Sequence, residues 1–245
     1  MAVSMDITIN ETGSATNGTA LLLHGGGGPA TVLPFAELLA ETSGLRVLTP
    51  VHPGFNGTPR PESVATPRDL AQLYVDLLDE RDLLDVTVIG SSLGGWVGAE
   101  IALLQSDRVG RVVLVDAVGL DVPEDPTVRF FDLTLPEVVE RSYYRPDNFQ
   151  ITPSSAQQAN MQTLRVYGGE VMADPSLRGR LPGATVPALA VWGAADRIVP
   201  PSHGRIFAAE MPKGRFELIE EAGHLPQLEA PETLARLVSD FVVNS

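Results

Sequence analysis

Apolar and polar positions along the chain follow two periods by turns. Short, β-branched apolar runs at Thr19 to Leu23, Leu45 to Thr49, Val86 to Ile89, Val112 to Val115, Ala188 to Trp192 and Arg215 to Ile219 read as buried strands. Residues 3 to 9 alternate weakly and predict a short edge strand or hairpin. Between the runs the period lengthens to that of a helix. One helix passes through Phe35, Leu38 and Leu39 and ends near Gly44. A second opens at Thr66-Pro67-Arg68-Asp69, where Thr66 can cap, Pro67 suits the first turn and Asp69 favours the positive end. Its apolar face is Leu70, Leu73, Tyr74, Leu77 and Leu78. Further helices are expected over Leu93 to Gln105, over Gly204 to Met211, and from Pro231 through Leu234, Leu237, Val238 and Phe241. In the Leu93 helix, Gly94, Gly98 and Ala102 lie four apart, a flat ridge for close packing against a sheet.

Strands alternating with helices imply an α/β fold: a mostly parallel, twisted sheet of about eight strands with helices on both faces. Residues 121 to 185 break the alternation. Aromatics and methionines gather there, Ser154 to Met172 looks helical, and Pro123, Pro126, Pro136, Pro146 and Pro153 punctuate the rest. We read the stretch as a helical insertion following the sixth strand, with residues 1–120 and 186–245 forming the core.

Composition narrows the function. The 245 residues suffice for one well-cored domain with a modest insertion. A net charge of −14, with Lys213 the sole lysine, would repel a polyanion, so nucleic acid is not an expected partner. No basic amphipathic stretch, signal-like segment or long apolar run points to a membrane. The chain has no cysteine, which excludes disulfides and thiolate chemistry and fits a cytoplasmic location. Its histidines are His24, His52, His203 and His224, and no pair has helical zinc spacing, so neither metal nor cofactor is expected. Either a monomer or a homodimer fits.

The candidate chemistry sits at the carboxyl ends of the predicted strands, where such sheets bind ligands. The run Val86 to Ile89 leads into Gly90-Ser91-Ser92-Leu93-Gly94, a Gly-x-Ser-x-Gly pattern, and then a helix. A serine at a strand–turn–helix junction stands clear of the sheet in a strained backbone, with glycines two residues away on either side leaving room. Three more clusters follow predicted strands: His24-Gly25-Gly26-Gly27-Gly28-Pro29, Gly193-Ala194-Ala195-Asp196-Arg197-Ile198-Val199-Pro200, and Ala222-Gly223-His224-Leu225-Pro226.

Together these four motifs resemble the α/β-hydrolases over nearly the whole chain, with Ser, Asp and His in that family's order. The resemblance implies that the insertion is a cap and that Ser92, His224 and Asp196 form a triad. Ser92 would attack a carbonyl, His224 would take and return its proton, and Asp196 would orient the imidazole. The oxyanion would rest on the Leu93 N–H and the Gly26 N–H. Asp116 also ends a strand and is the less favoured candidate for the acid. His24 is read as tying down the glycine loop, His52 as a loop residue, His203 as a surface residue and Trp96 as core. Gly25, Phe131, Tyr143 and Met161 are candidate pocket residues.

A serine at position 92, rather than an aspartate, sets the chain apart from the haloalkane dehalogenases and epoxide hydrolases of this fold. The same motifs, with Asp174-Pro175-Ser176-Leu177 in the insertion, look most similar to carboxylesterases and to meta-cleavage-product C–C hydrolases. Ser91 stands where many of the latter carry asparagine, and no arginine is evident to hold a dienoate. Hydrolysis of a small to medium, largely apolar carboxylic ester is therefore the first expectation. C–C hydrolysis of vinylogous diketones is the second, and lactone, thioester and peracid chemistry fit the same residues. A non-catalytic small-molecule receptor on this fold is the alternative of a different class.

Overall fold

A computed structural model describes residues 6–149 and 154–244. Along the chain run β1 (Ile9–Thr12), β2 (Thr19–Leu23), α1 (Leu33–Ser43), β3 (Arg46–Pro50), α2 (Pro67–Glu80), β4 (Val86–Ser91), α3 (Leu93–Leu104) and β5 (Val109–Val115). β6 (Gly119–Leu120) follows just before the stretch 121–185, which carries α4 (Leu135–Ser142), α5 (Ser155–Gly168), β7 (Ala173–Asp174) and α6 (Leu177–Arg180). The chain then forms β8 (Ala188–Gly193), α7 (Pro201–Glu210), β9 (Gly214–Ile219), α8 (Pro226–Glu229) and α9 (Pro231–Val243).

The main sheet has the order β1-β3-β2-β4-β5-β8-β9, and only the β1–β3 pair is antiparallel. Among the described residues it has seven strands, one short of the expected count. Among the described residues before β2 the one strand is β1, which meets the expected strand at 3 to 9 only at Ile9; residues 3–5 of that expectation lie outside those described. The insertion still follows the anticipated strand, now the fifth, which begins at Val109 rather than Val112. β6 and β7 pair apart from the main sheet.

Period-two alternation divides the core. Leu21, Leu23, Val88, Val112, Leu114, Ala190 and Trp192 face α2, α3 and α7. Ala20, Leu22, Ile89, Val113, Val115, Leu189 and Val191 face α1 and α9. The small ridge of α3 does what its spacing implies: a Cβ on Gly94 would lie 2.2 Å from the Leu23 carbonyl oxygen, and one on Gly98 would lie 3.2 Å from Leu114. α2 opens with a full capping box, Thr66 Oγ1 accepting from Asp69 N at 3.1 Å while Asp69 Oδ2 accepts from Thr66 N at 2.9 Å.

The helix expected over Ser154 to Met172 stops at Gly168, because Gly169 takes φ +65° and Met172 takes φ +53°. Pro153 lies outside the described residues. One face of α5 is fastened to the loop after β3. Asn160 Oδ1 accepts from Asn56 N at 2.8 Å, Thr163 Oγ1 donates to Gly54 O at 2.9 Å, and the Tyr167 hydroxyl donates to Pro53 O at 2.9 Å. Among the described residues no helix is long and apolar enough to cross a membrane.

A second tie joins the end of the insertion to α3. Arg180 donates to both oxygens of Glu100, at 2.7 and 2.6 Å, and to Asp174 at 2.8 Å. The Glu100 side chain is only 3% exposed and Arg180 29%, so removing the guanidinium strands a buried carboxylate. Arg180→Leu should therefore cost about 2–4 kcal/mol in urea unfolding. The double replacement Glu100→Leu/Arg180→Leu should cost clearly less than the single change.

Candidate active site

The parallel register brings the strand ends together. Leu23 pairs with Gly90, Ser91 with Val115, Val115 with Val191, and Gly193 with Ile219. The residues just beyond, His24, Ser92, Asp116, Asp196 and His224, therefore emerge along one edge of the sheet.

Ser92 sits between β4 and α3 with φ 54° and ψ −112°, a conformation that L-residues seldom adopt. Its N–H donates to Val115 O at 2.9 Å, and its carbonyl accepts from Gly95 N and Trp96 N at 3.0 and 3.1 Å. The turn closes only because its flanks lack side chains. A Cβ on Gly90 would lie 2.0 Å from the Gly94 carbonyl oxygen, and one on Gly25 would lie 3.0 Å from Ser92 Cβ. Ser91 is turned away, its hydroxyl accepting from Gln227 Nε2 at 3.2 Å.

Beyond β8, Asp196 is held by backbone donors, with Oδ1 accepting from Ile198 N at 2.8 Å and Val199 N at 2.9 Å. Its Oδ2 lies 2.8 Å from His224 Nδ1, and His224 Nε2 lies 3.0 Å from Ser92 Oγ. The carboxylate accepts from Nδ1–H and so keeps the ring proton on Nδ1, which leaves Nε2 free to accept from the serine hydroxyl. All three side chains are buried. The His224 loop is fixed by His224 N donating to Ser142 O at 2.7 Å and Gly223 N donating to Glu229 Oε2 at 2.7 Å.

Asp116 lies beside this set: one ligand atom from each of Asp116, Asp196 and His224 falls within 4.8 Å of the others. Asp196 and His224 Nδ1 are engaged by each other and, at Asp196, by backbone N–H groups, whereas Asp116 is only partly engaged. Asp116 Oδ1 accepts from Gly193 N at 2.9 Å, while Oδ2 is buried without a hydrogen-bond partner among the described residues. Burial first, and then the charge of Asp196, push the Asp116 carboxyl well above the usual carboxylate range. Asp196 is the better supplied with donors of the two.

A cavity of about 500 Å³ opens onto Ser92 and His224. Gly25, Gly26, Phe131, Tyr143 and Met161, all singled out from the sequence, line it. Sequence reasoning did not place Val118, Thr127, Gln157, Leu164, Ile198 or Leu225 in the pocket, which they line too. Gln157, Met161 and Leu164 lie on one face of α5, so helical spacing from Met161 would have found the other two. Among the described residues neither the Leu93 N–H nor the Gly26 N–H has a protein acceptor. Trp96 is core, packed on Gly119 and absent from the lining.

Two expectations need correction or extension. His203 is not a surface residue: it is fully buried, with Nε2 donating to Asp125 O at 2.7 Å. Its place in the first turns of α7, beneath the loop that holds Asp125, sequence periodicity does not reveal. His52 lies in a loop, as expected, but is fully buried against His24, their ring centroids 4.0 Å apart. Burial lowers the pKa of His24 from 6.5 to about 4 and holds that of His52 well below its ordinary value. Each is neutral when folded and ionises more readily when unfolded. The contribution of His24 to stability is thus complete above pH 6.5 and is lost as pH falls from 6.5 towards about 4, and that of His52 is likewise lost on acidification below its ordinary pKa. Ring-proton NMR should find His24 still neutral at pH 5.5, well below its ordinary pKa of 6.5, with the melting temperature declining as pH falls through that window.

Comparison with known proteins gives a consistent picture. A family model described as "Alpha/beta hydrolase family" matches residues 20–237. The 2-hydroxy-6-oxononadienedioate/2-hydroxy-6-oxononatrienedioate hydrolase of Cupriavidus pinatubonensis is 26% identical, over 97% of this chain and 91% of its own. The pimeloyl-(acyl-carrier protein) methyl ester esterase of Aromatoleum aromaticum is 29% identical, over 91% of this chain and 97% of its own. Among solved structures, a thermophilic esterase from Thermogutta terrifontis aligns with a TM-score of 0.77 at 23% identity, covering 99% of this chain and 96% of its own, a likeness of fold.

Proposed function

This chain belongs to the alpha/beta hydrolase family, and from that premise we propose that it cleaves a small to medium carboxylic ester through an acyl-enzyme on Ser92. The observation that carries this reading is the unbroken hydrogen-bonded path from Ser92 Oγ through His224 to Asp196, ending at a cavity with a largely apolar lining.

In the proposed reaction His224 Nε2 takes the Ser92 proton as Oγ attacks the ester carbonyl. The oxyanion rests on the N–H groups of Leu93 and Gly26, which no protein acceptor competes for among the described residues. The alcohol departs with the proton from His224. Water, activated by the same nitrogen, then releases the acid and restores the serine. Asp196 holds the tautomer and stabilises the imidazolium. Residues 121–185 serve as the cap, with α5 and the stretch around Phe130 and Phe131 enclosing the acyl chain.

One observation favours a second reading, C–C hydrolysis. Arg165, which the sequence did not single out, lines the cavity as a cation that could hold an anionic substrate. Its guanidinium lies 4.6 Å from the Phe131 ring centroid and 3.4 Å from Glu170, and its side chain is half exposed. That engagement at the rim is why the ester reading stands first.

A p-nitrophenyl ester series of increasing acyl length separates the readings. The wild type should turn over short and medium esters, and Ser92→Ala should abolish turnover and fluorophosphonate labelling. Faster decay of a coloured dienone than of any ester would favour C–C chemistry. Tight ligand binding with no turnover would favour a receptor.

The acid is tested separately. Asp196→Asn should lower kcat by roughly 10⁴-fold by presenting the wrong His224 tautomer. Asp116→Asn, which mimics a carboxyl held protonated, should cost far less; the reverse ranking would move the acid to Asp116.

A further inference from the structure

The glycine loop that would supply the second oxyanion donor runs Gly25-Gly26-Gly27-Gly28. Four successive glycines leave each peptide plane nearly free to rotate, so an N–H in this loop has no preferred direction of its own. A donor contributes to oxyanion stabilisation only if it is aimed before the reaction begins. A bond from outside the loop would fix the peptide between Gly25 and Gly26 beyond what the loop's own Gly28 N–H to Gly25 O contact supplies.

A buried chain of hydrogen bonds ends on that peptide. The Tyr74 hydroxyl, on α2, lies 2.5 Å from His52 Nδ1. His52 Nε2 lies 2.9 Å from the His24 carbonyl oxygen, which can only accept, so the His52 proton is on Nε2 and Nδ1 accepts from Tyr74. The His52 backbone N–H donates to His24 Nε2 at 3.1 Å, which puts the His24 proton on Nδ1. His24 Nδ1 in turn donates to the Gly25 carbonyl oxygen at 2.7 Å. The same oxygen accepts from Gly28 N at 3.1 Å. Every step has one permitted direction.

The Gly25 carbonyl and the Gly26 N–H belong to one planar, trans peptide, so fixing the first aims the second the opposite way. Tyr74, His52 and His24 are all fully buried. Phe55 packs edge-on against both imidazoles, with centroids 4.9 and 5.8 Å away. Water cannot substitute for a missing member here, so losing one leaves its neighbour unsatisfied. Apolar side chains could fill this space without the desolvation of two imidazoles and a phenol.

We propose that Tyr74, His52 and His24 are positioning residues, a relay that aims the Gly26 N–H at the reacting carbonyl oxygen. The inference rests on the serine hydrolase reading above. It extends the machinery from the cavity wall to α2, on the far side of the β3 loop. The relay works with both imidazoles neutral, and it touches neither substrate nor Ser92.

The test compares wild type, Tyr74→Phe, His24→Leu and His24→Asn on a p-nitrophenyl ester, together with the affinity of an alkyl boronic acid that forms a tetrahedral adduct on serine. Tyr74→Phe should lower kcat by about 10- to 100-fold, leave KM nearly unchanged and weaken boronate binding by a similar factor. His24→Asn, which keeps an N–H near the Nδ1 position, should retain more kcat than His24→Leu. Circular dichroism checks that each variant folds; if His24→Leu does not, Tyr74→Phe and His24→Asn carry the test. Unchanged kcat and boronate affinity in folded Tyr74→Phe would overturn the relay, and so would a fall in kcat with boronate affinity intact. Ser92→Ala run in parallel separates the two levels: hydrolysis that survives it refutes the underlying reading, whereas an inert Ser92→Ala beside an unaffected Tyr74→Phe refutes the relay alone.

Discussion

The close approach of α3 to the middle of the sheet is the constraint from which the rest follows. Backbone meets backbone at the turn after β4: Gly90 faces the carbonyl of Gly94, and Gly94 faces that of Leu23. A methyl group at either position would collide with a carbonyl oxygen that cannot yield, because it belongs to a strand or to the first turn of a helix. Only this tightness holds Ser92 at φ 54°, and only that φ turns its side chain away from the core and towards His224. The strain is local and is opposed by the hydrogen bonds of the Ser92 N–H and carbonyl with Val115, Gly95 and Trp96. The same approach puts Gly25 against Ser92, so the serine turn and the glycine loop share one steric origin.

The electrostatics of the strand ends keep charge where a hydrolase can use it. His24 and His52 are held neutral by burial, so the glycine loop carries no competing cation. Two carboxyls are buried behind His224 but are supplied unequally. Asp196 has two backbone donors on one oxygen and the imidazole on the other, whereas Asp116 has a single donor. Burial and the neighbouring carboxylate push the Asp116 carboxyl well above its ordinary range, while the better-donated Asp196 is the one that meets His224. The surface, at a net −14, does not bear on this arrangement, because the groups concerned are withdrawn from water.

What the sequence made legible were features with short-range causes. Strand ends, the glycines of the turn, the Thr66 cap and the small ridge of α3 each follow from neighbours a few residues apart. Ser92, Asp196 and His224 came from motifs at strand ends, and parallel register makes such ends converge. What stayed hidden depends on contacts between distant segments. His203 looked superficial because periodicity says nothing about the Asp125 loop that covers it. His52 meets Tyr74 and His24 only after α2 and β2 are packed. The end of α5 at Gly168 was obscured by apolar residues continuing to Met172, which turns back with its sulfur beside Gly168.

The two walls of the cavity are not equivalent, and the difference bears on how its shape can change. α5 presents Gln157, Met161, Leu164 and Arg165 to the cavity, while Asn160, Thr163 and Tyr167 bind the loop at residues 53–56. Leu164 also presses on Gly26, where an added Cβ would come within 2.5 Å of it. Altering this wall disturbs the glycine loop and the packing around Phe55, which stacks on Tyr167. The facing stretch, with Phe130, Phe131, Leu133 and Leu135, makes its own side-chain hydrogen bonds internally, Arg129 with Asp132 and Thr134 with Glu137. Its ties to the strand ends run through backbone instead, Val128 N donating to Ile198 O at 2.9 Å and Ser142 O accepting from His224 N at 2.7 Å. Both walls thus reach the strand ends, α5 through side chains and the facing stretch through backbone, so side-chain changes on the facing stretch alter the cavity's shape with the fewest hydrogen bonds lost.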